Sequence, residues 1–150
     1  MALLYESTRG RADPLGFTDV VLAGLAPDGG LYLPADWPSL PDVPSGSYAE
    51  VAAAVMAPFV AGTIEPGEFE AMVHDAYATF DHPDVCPLVP LEGGHDLLEL
   101  FHGPTLAFKD VALQLVGRLF DHELERRDER VTIVGATSGD TGSAAMEAVR

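Results

Sequence analysis

The chain predicts an α/β domain with a parallel sheet, preceded by a small, mostly helical module. Three observations predict it. Residues 131–136, VTIVGA, form a β-branched run that leads through TSGDTG into the helix former SAAMEAV. A long apolar-periodic stretch, about Phe108 to Arg127, precedes that run and reads as a helix. Upstream, DHPDVCPLVPLEGGH (81–95) is broken by Pro and Gly and keeps no helical period, so it separates the two parts.

Taken in order, FTDVVLAGLA (17–26) predicts a short helix with Thr18 at its N-cap. PDGG (27–30) is a turn, and LYLP follows as a brief extended segment. Prolines at 34, 38, 41 and 44 mark an extended loop. Ser47-Tyr48-Ala49-Glu50 is a capping box, opening a helix with Val51, Val55, Phe59 and Ala52, Met56, Val60 in register. Pro58 should kink or end it. Pro66 suits the first position of a further helix, whose stripe is Phe69, Val73, Ala76, Tyr77 and Phe80. Residues 1–80 are thus one module and 81–95 a linker. Residues 96–150 begin an α/β domain, with DLLELF (96–101) as a strand, a helix facing inward through Ala112, Leu115, Val116, Leu119 and Phe120, then VTIVGA.

The charge balance narrows the partners. The 150 residues carry 8 basic and 24 acidic side chains, a net charge of −16, so nucleic acid and anionic membranes are repelled. With 47% apolar residues the chain can build a core. VAAAVMAPFVA (51–61) is too short to span a bilayer, and the charged N-terminus does not read as a signal peptide. The lone Cys86 allows no internal disulfide. The five histidines are scattered, so no zinc site is expected. These features predict a soluble cytoplasmic protein.

Lys109 is the only lysine; the other basic residues are arginines. It sits in LFHGPTLAFKDVAL (100–113), in the first turn of the predicted helix. A helix N-terminus disfavours a cation, and Leu106, Ala107 and Phe108 should desolvate the amine. Both effects favour the neutral, nucleophilic form that Schiff-base chemistry needs. The competing reading is a lysine that snorkels to solvent and pairs with Asp110.

GATSGDTGSAA (135–145) connects the buried strand to a helix, where backbone N–H groups make an anion site. Gly139 and Gly142 let the backbone approach a ligand, and Thr137, Ser138 and Thr141 add hydroxyls. A carboxylate or phosphate is the expected guest. An ordinary N-cap by Asp140 or Thr141 is compatible with that role. The loop fits neither the Walker A pattern nor the dinucleotide fingerprint. His102 is a candidate for the same pocket, with a plain backbone hydrogen bond as its alternative. Arg9 alone is a surface arginine, and Glu123–Arg127 is helical i, i+4 support.

ELFHGPTLAFKD (99–110) together with TIVGATSGDTGSAA (132–145) resembles the threonine synthases of bacterial and fungal type. STRG (7–10), GLAPDGGLYLP (24–34) and AYATFDHP (76–83) resemble the N-terminal module of that family, so the likeness spans essentially the whole chain. It implies a tryptophan-synthase-β-like catalytic domain, fold type II of the pyridoxal-phosphate (PLP) enzymes. It implies the conversion of O-phospho-L-homoserine and water to L-threonine and phosphate, the last step of threonine biosynthesis. By position, Lys109 takes the place of the lysine that holds PLP and moves protons. Asp140 and Phe108 fall beside the cofactor. Thr137, Ser138, Gly139 and Thr141 fall beside the substrate carboxylate. His102 is implied to line the pocket.

The resemblance also implies parts that these residues do not supply: the loop gripping the PLP phosphate, the partner of the pyridine nitrogen and most of the sheet. The 150-residue piece is therefore expected to be the N-terminal portion of the enzyme, inactive alone and prone to self-association at an open sheet edge. Two rivals stand beside this reading. One is another enzyme of the same fold, such as a serine or threonine dehydratase. The other is a non-catalytic, truncated binding or regulatory protein.

Overall fold

The computed structural model describes residues 2–150, which divide into two compact units. One takes in the chain up to Ser45 together with Glu50–Ala71; the other comprises Gly46–Ala49 and Met72–Arg150.

The first unit is built on a three-stranded antiparallel sheet that the helical reading of the N-terminal module did not include. Its strands are β1 (Leu4–Ser7), β2 (Leu15–Gly16) and β3 (Tyr32–Pro34), in the order β2-β1-β3. Each strand is four residues or fewer, too short for its sequence alone to announce a strand. On the central strand the alternation is plain: Tyr5 and Ser7 are buried, Leu4 and Glu6 exposed. The Tyr5 hydroxyl donates to the Phe59 carbonyl at 2.7 Å.

The helix α1 (Phe17–Ala23) starts one residue before the expected cap. Gly16, not Thr18, is its N-cap, without a side-chain hydrogen bond. The cause is β2, which pairs Gly16 with Leu4 and runs straight into the helix. The loop that follows is tied by a polar knot. Ser7 donates to the Asp28 carboxylate at 2.7 and 2.9 Å. Asp28 also accepts the amides of Gly30 at 2.9 Å and Arg11 at 3.0 Å. Its carboxyl is held below the usual range, chiefly by the Ser7 hydroxyl. Residue 30 is glycine because a Cβ there would overlap the Ser7 hydroxyl.

The helices α2 (Tyr48–Val60) and α3 (Pro66–Tyr77) begin where the capping box and Pro66 predict. Pro58 lies inside α2, which ends within a turn of it. Of the α3 stripe, Phe69, Val73, Ala76 and Tyr77 are buried as expected, while Phe80 lies past the helix end and is half-buried.

In the second unit the expected linker is not featureless. β4 (Leu88–Leu91) lies within residues 81–95 and pairs antiparallel with β5 (His95–Leu98), so the strand expected at 96–101 is shorter and displaced. Glu92-Gly93-Gly94 closes this hairpin, with both glycines at positive φ. The run 131–136 joins no strand among the described residues, and Ile133 and Val134 are exposed. A parallel strand takes its whole ladder from neighbours distant in sequence, and none pairs here. The only sheets among the described residues are antiparallel.

The helix α4 (Asp110–Arg127) buries Leu115 and Leu119 on the predicted face, while Ala112 is exposed. The Arg118 guanidinium donates to the Asp75 carbonyl at 2.9 Å and the Tyr77 hydroxyl to that of Val111 at 3.3 Å, fixing α4 against the end of α3 within this unit. Glu123, 1% exposed, binds both Arg126 and Arg127, and these guanidiniums lower its carboxyl to about 2, Arg126 contributing most. The helix α5 (Asp140–Ala148) packs on α4. They meet so closely that a Cβ at Gly117 would overlap the Ala148 carbonyl.

Candidate functional site

Two turns prepare the start of α4. Pro104 presets the first, closed by the Leu106 amide on the Gly103 carbonyl at 3.0 Å. The second is closed by the Asp110 amide on the Ala107 carbonyl, also at 3.0 Å. Leu106 joins them with φ at 62°, a left-handed backbone for a side chain that is exposed. Such a conformation persists where the surroundings over-determine it.

What over-determines it is Asp110, fully buried at the first position of α4. Its carboxylate accepts the Thr105 amide at 2.8 Å and the Thr105 hydroxyl at 2.8 and 2.9 Å. Gly103 lies so close that a Cβ there would overlap the Asp110 side chain. The pairing of Lys109 with Asp110 weighed from the sequence therefore gives way to a loop clamp.

Lys109 is the N-cap of α4 rather than a first-turn residue. Its Nζ stands 4.2 Å from the centroid of the Phe108 ring. Of the three residues expected to shield it, only Ala107 is buried; Leu106 and Phe108 are exposed. The amine borders a hollow of about 430 Å³ lined by Leu100, Phe108, Val111, Ala112 and Leu113, with Thr141 from the glycine-rich loop. Lys109 and Thr141 are the only polar residues of that lining.

The TSGDTG loop is organised by its own threonine. Thr137 Oγ1 accepts the amides of Gly139 and Gly142, both at 3.1 Å. Gly139 has φ at 135°, which favours glycine, and a Cβ at Gly142 would come within 2.8 Å of the Thr137 hydroxyl. Gly139 is the N-cap of α5, which begins at Asp140. The first amides of a helix have no acceptor within it, so those of Asp140 and Thr141 point out of the helix start. Ser138, Gly139 and Asp140 are exposed. The structure thus brings Lys109, Phe108 and Thr141 onto one hollow, and puts Thr137 inside the loop as its brace. Ser138, Gly139 and Asp140 stand beside that hollow in sequence but not in its lining.

His102 does not line the hollow either. Its Nε2 is 2.7 Å from Glu99 and its Nδ1 3.3 Å from Asp81. The ring lies 4.7 Å from Phe101 and 4.9 Å from His82. The hydrogen bond to Glu99 raises the imidazole above its ordinary value, and Asp81 adds to it. Thr105, and the hold of Asp110 on it, went unnoticed in the sequence. Their spacing, five residues across a turn, matches no helical or strand period.

Comparison with known proteins points to one family. The family model "Threonine synthase N terminus" matches residues 4–77. Threonine synthase of Pseudomonas aeruginosa is 56% identical over 151 residues, covering 97% of this chain and 32% of that protein. The Schizosaccharomyces pombe threonine synthase is 46% identical over 163 residues, covering 97% and 31%. Among solved structures, PLP-bound threonine synthase from Brucella melitensis superposes with a TM-score of 0.94 at 56% identity, covering 99% of this chain and 33% of that one. The chain spans about a third of the length of the curated relatives it matches.

Proposed function

From the chain's membership of the threonine synthase family, of whose members it spans the N-terminal third, we propose that it supplies the reactive lysine and the substrate-carboxylate loop of a PLP-dependent lyase. The reaction is the conversion of O-phospho-L-homoserine and water to L-threonine and phosphate. The observation that carries this reading is that Lys109, Phe108 and Thr141 line one hollow. On this reading residues 1–80 are the N-terminal module, 81–95 the connection with its hairpin strand, and 96–150 the first part of the catalytic domain. A cytoplasmic location goes with it. No helix among the described residues is long and apolar enough to cross a membrane.

The residues present fit PLP. A primary amine borders a hollow whose walls are otherwise apolar, with an aromatic ring beside the amine. When bound, PLP supplies an electron sink for carbanion character at the substrate's carbons. Lys109 is the residue that would hold it, through Nζ, and its amine would take and return protons at Cα and Cβ of the substrate. Phe108 holds the amine by a cation–π contact while it is charged. Ser138 and Thr141 offer hydroxyls, and the Asp140 and Thr141 amides offer backbone donors, to the substrate carboxylate. Thr137 keeps those donors aimed by bracing the loop. Asp140 would stand at the cofactor's edge, and Leu100, Val111 and Leu113 give the hollow an apolar wall beside the amine.

Residues 1–150 alone are inactive on this reading, because they bring the lysine and the loop but no cradle for the PLP phosphate. The test is borohydride reduction of the PLP-loaded intact gene product, followed by peptide mapping and product analysis with phosphohomoserine against threonine. Label at Lys109 with threonine as product supports the reading. Label elsewhere, or dehydratase products only, overturns it.

A further inference from the structure

A carboxylate that is completely buried demands an explanation, since burial of charge is costly unless it is fully bonded. Asp110 would favour the positive end of α4 equally well at the surface. What burial adds is its grip on Thr105, whose amide and hydroxyl both donate to it. That grip closes a loop from Thr105 to Asp110 around the left-handed Leu106. Gly103 supplies the space the carboxylate needs.

Lys109 is the residue before Asp110, and the two side chains part company: that of Asp110 is buried, whereas Lys109 lines the hollow. Rotation of the first turn of α4 about its axis would carry both together. We propose that Asp110 is the positioning residue of Lys109: by clamping Thr105, it fixes the start of α4 so that the Lys109 amine is held at the hollow. The clamp acts on geometry, not on the reaction, and touches neither substrate nor cofactor. This inference rests on Lys109 being the reactive amine.

The experiment uses the intact gene product with PLP as the probe and follows borohydride-trapped adduct at Lys109 by peptide mapping, as a function of time and pH. Thr105→Val removes the hydroxyl at constant shape, and Asp110→Asn removes the charge while keeping the Cβ beside Gly103. Both are expected to slow adduct formation about ten- to a hundredfold, the cost of a misplaced reacting group, and to displace its pH midpoint. Thr105→Ser, which keeps both donors, restores most of the rate and the original midpoint, a rescue that general loosening of the fold would not produce. An unaltered rate and midpoint in folded Asp110→Asn overturns the proposal. Should neither variant fold, hydrogen exchange on the unaltered protein decides: the Thr105 amide should be as protected as the α4 interior, and free exchange overturns the clamp. Label that appears away from Lys109 in the unaltered protein instead defeats the functional reading beneath it.

Discussion

The Nζ of Lys109 lies 4.2 Å from the centroid of the neighbouring Phe108 ring. This contact limits where a flexible four-carbon side chain can go, at the mouth of a largely apolar hollow. Cation–π contacts at exposed sites contribute about 0.5–1 kcal/mol. Phe108→Leu should therefore change PLP retention by no more than roughly two- to fivefold while leaving the adduct on Lys109. Lys109→Ala should abolish the adduct altogether. Equilibrium dialysis with borohydride trapping checks both.

Ser138 and Thr137 should fail in different ways. Ser138→Ala leaves the loop braced and should weaken substrate binding by about 1–3 kcal/mol, with PLP loading little changed. Thr137→Val removes the acceptor of two amides, so the loop itself should loosen. Titration calorimetry with a substrate analogue, beside hydrogen exchange of the Gly139 and Gly142 amides, separates the two.

His102 should titrate above an ordinary histidine, because Glu99 and Asp81 favour its charged form. A raised folded-state value stabilises the protein below the ordinary histidine range. That contribution disappears as pH rises through the elevated value. NMR titration of the His102 ring should show the elevated midpoint, and Glu99→Gln should lower it. A midpoint unmoved by Glu99→Gln would contradict the pairing.

Glu123 works in the opposite direction. Its carboxyl is lowered to about 2, so its contribution is present above the ordinary glutamate range and is lost as pH falls toward 2. Hydrogen bonds to charged groups are worth about 1.5–3 kcal/mol, and Glu123→Gln should cost about that much near neutrality. Urea unfolding at a series of pH values should show the difference from the unaltered protein shrinking as the medium is acidified.

A protein limited to residues 1–150 should release no phosphate from phosphohomoserine and should self-associate. Val131, Ile133 and Val134 are exposed in a run that pairs with no strand among the described residues, an open invitation to another chain. Sedimentation velocity and a phosphate assay are the checks. A well-folded monomer with turnover would refute both statements.

Helix beginnings were legible because their signals are local. Ser47 and Pro66 mark α2 and α3, since caps and N-terminal prolines act within a few residues. The strands were hard to read for the opposite reason. β1 and β3 recognise each other across an intervening helix and turn, and nothing in LYES alone announces that partner. The hairpin strand inside 81–95 was hidden by Pro90, which sits in a strand that pairs on one side only. In the site, Lys109 stood out by rarity and Gly139 by its turn. Asp110 resembled any acidic residue opening a helix; its burial and its hold on Thr105 depend on a turn whose geometry no period encodes.

Gly117, where α4 passes the end of α5 without room for a methyl group, bears on how such a protein can be recombined. α4 begins just after the lysine and α5 within the threonine–glycine loop, so their mutual spacing hangs on one missing side chain. A chimera joining residues 96–130 of one relative to a later segment of another can exchange surface freely. It cannot exchange this crossing point piecemeal. The lysine and the loop should therefore be exchanged together, because the contact that spaces them lies at Gly117 and Ala148, away from either motif.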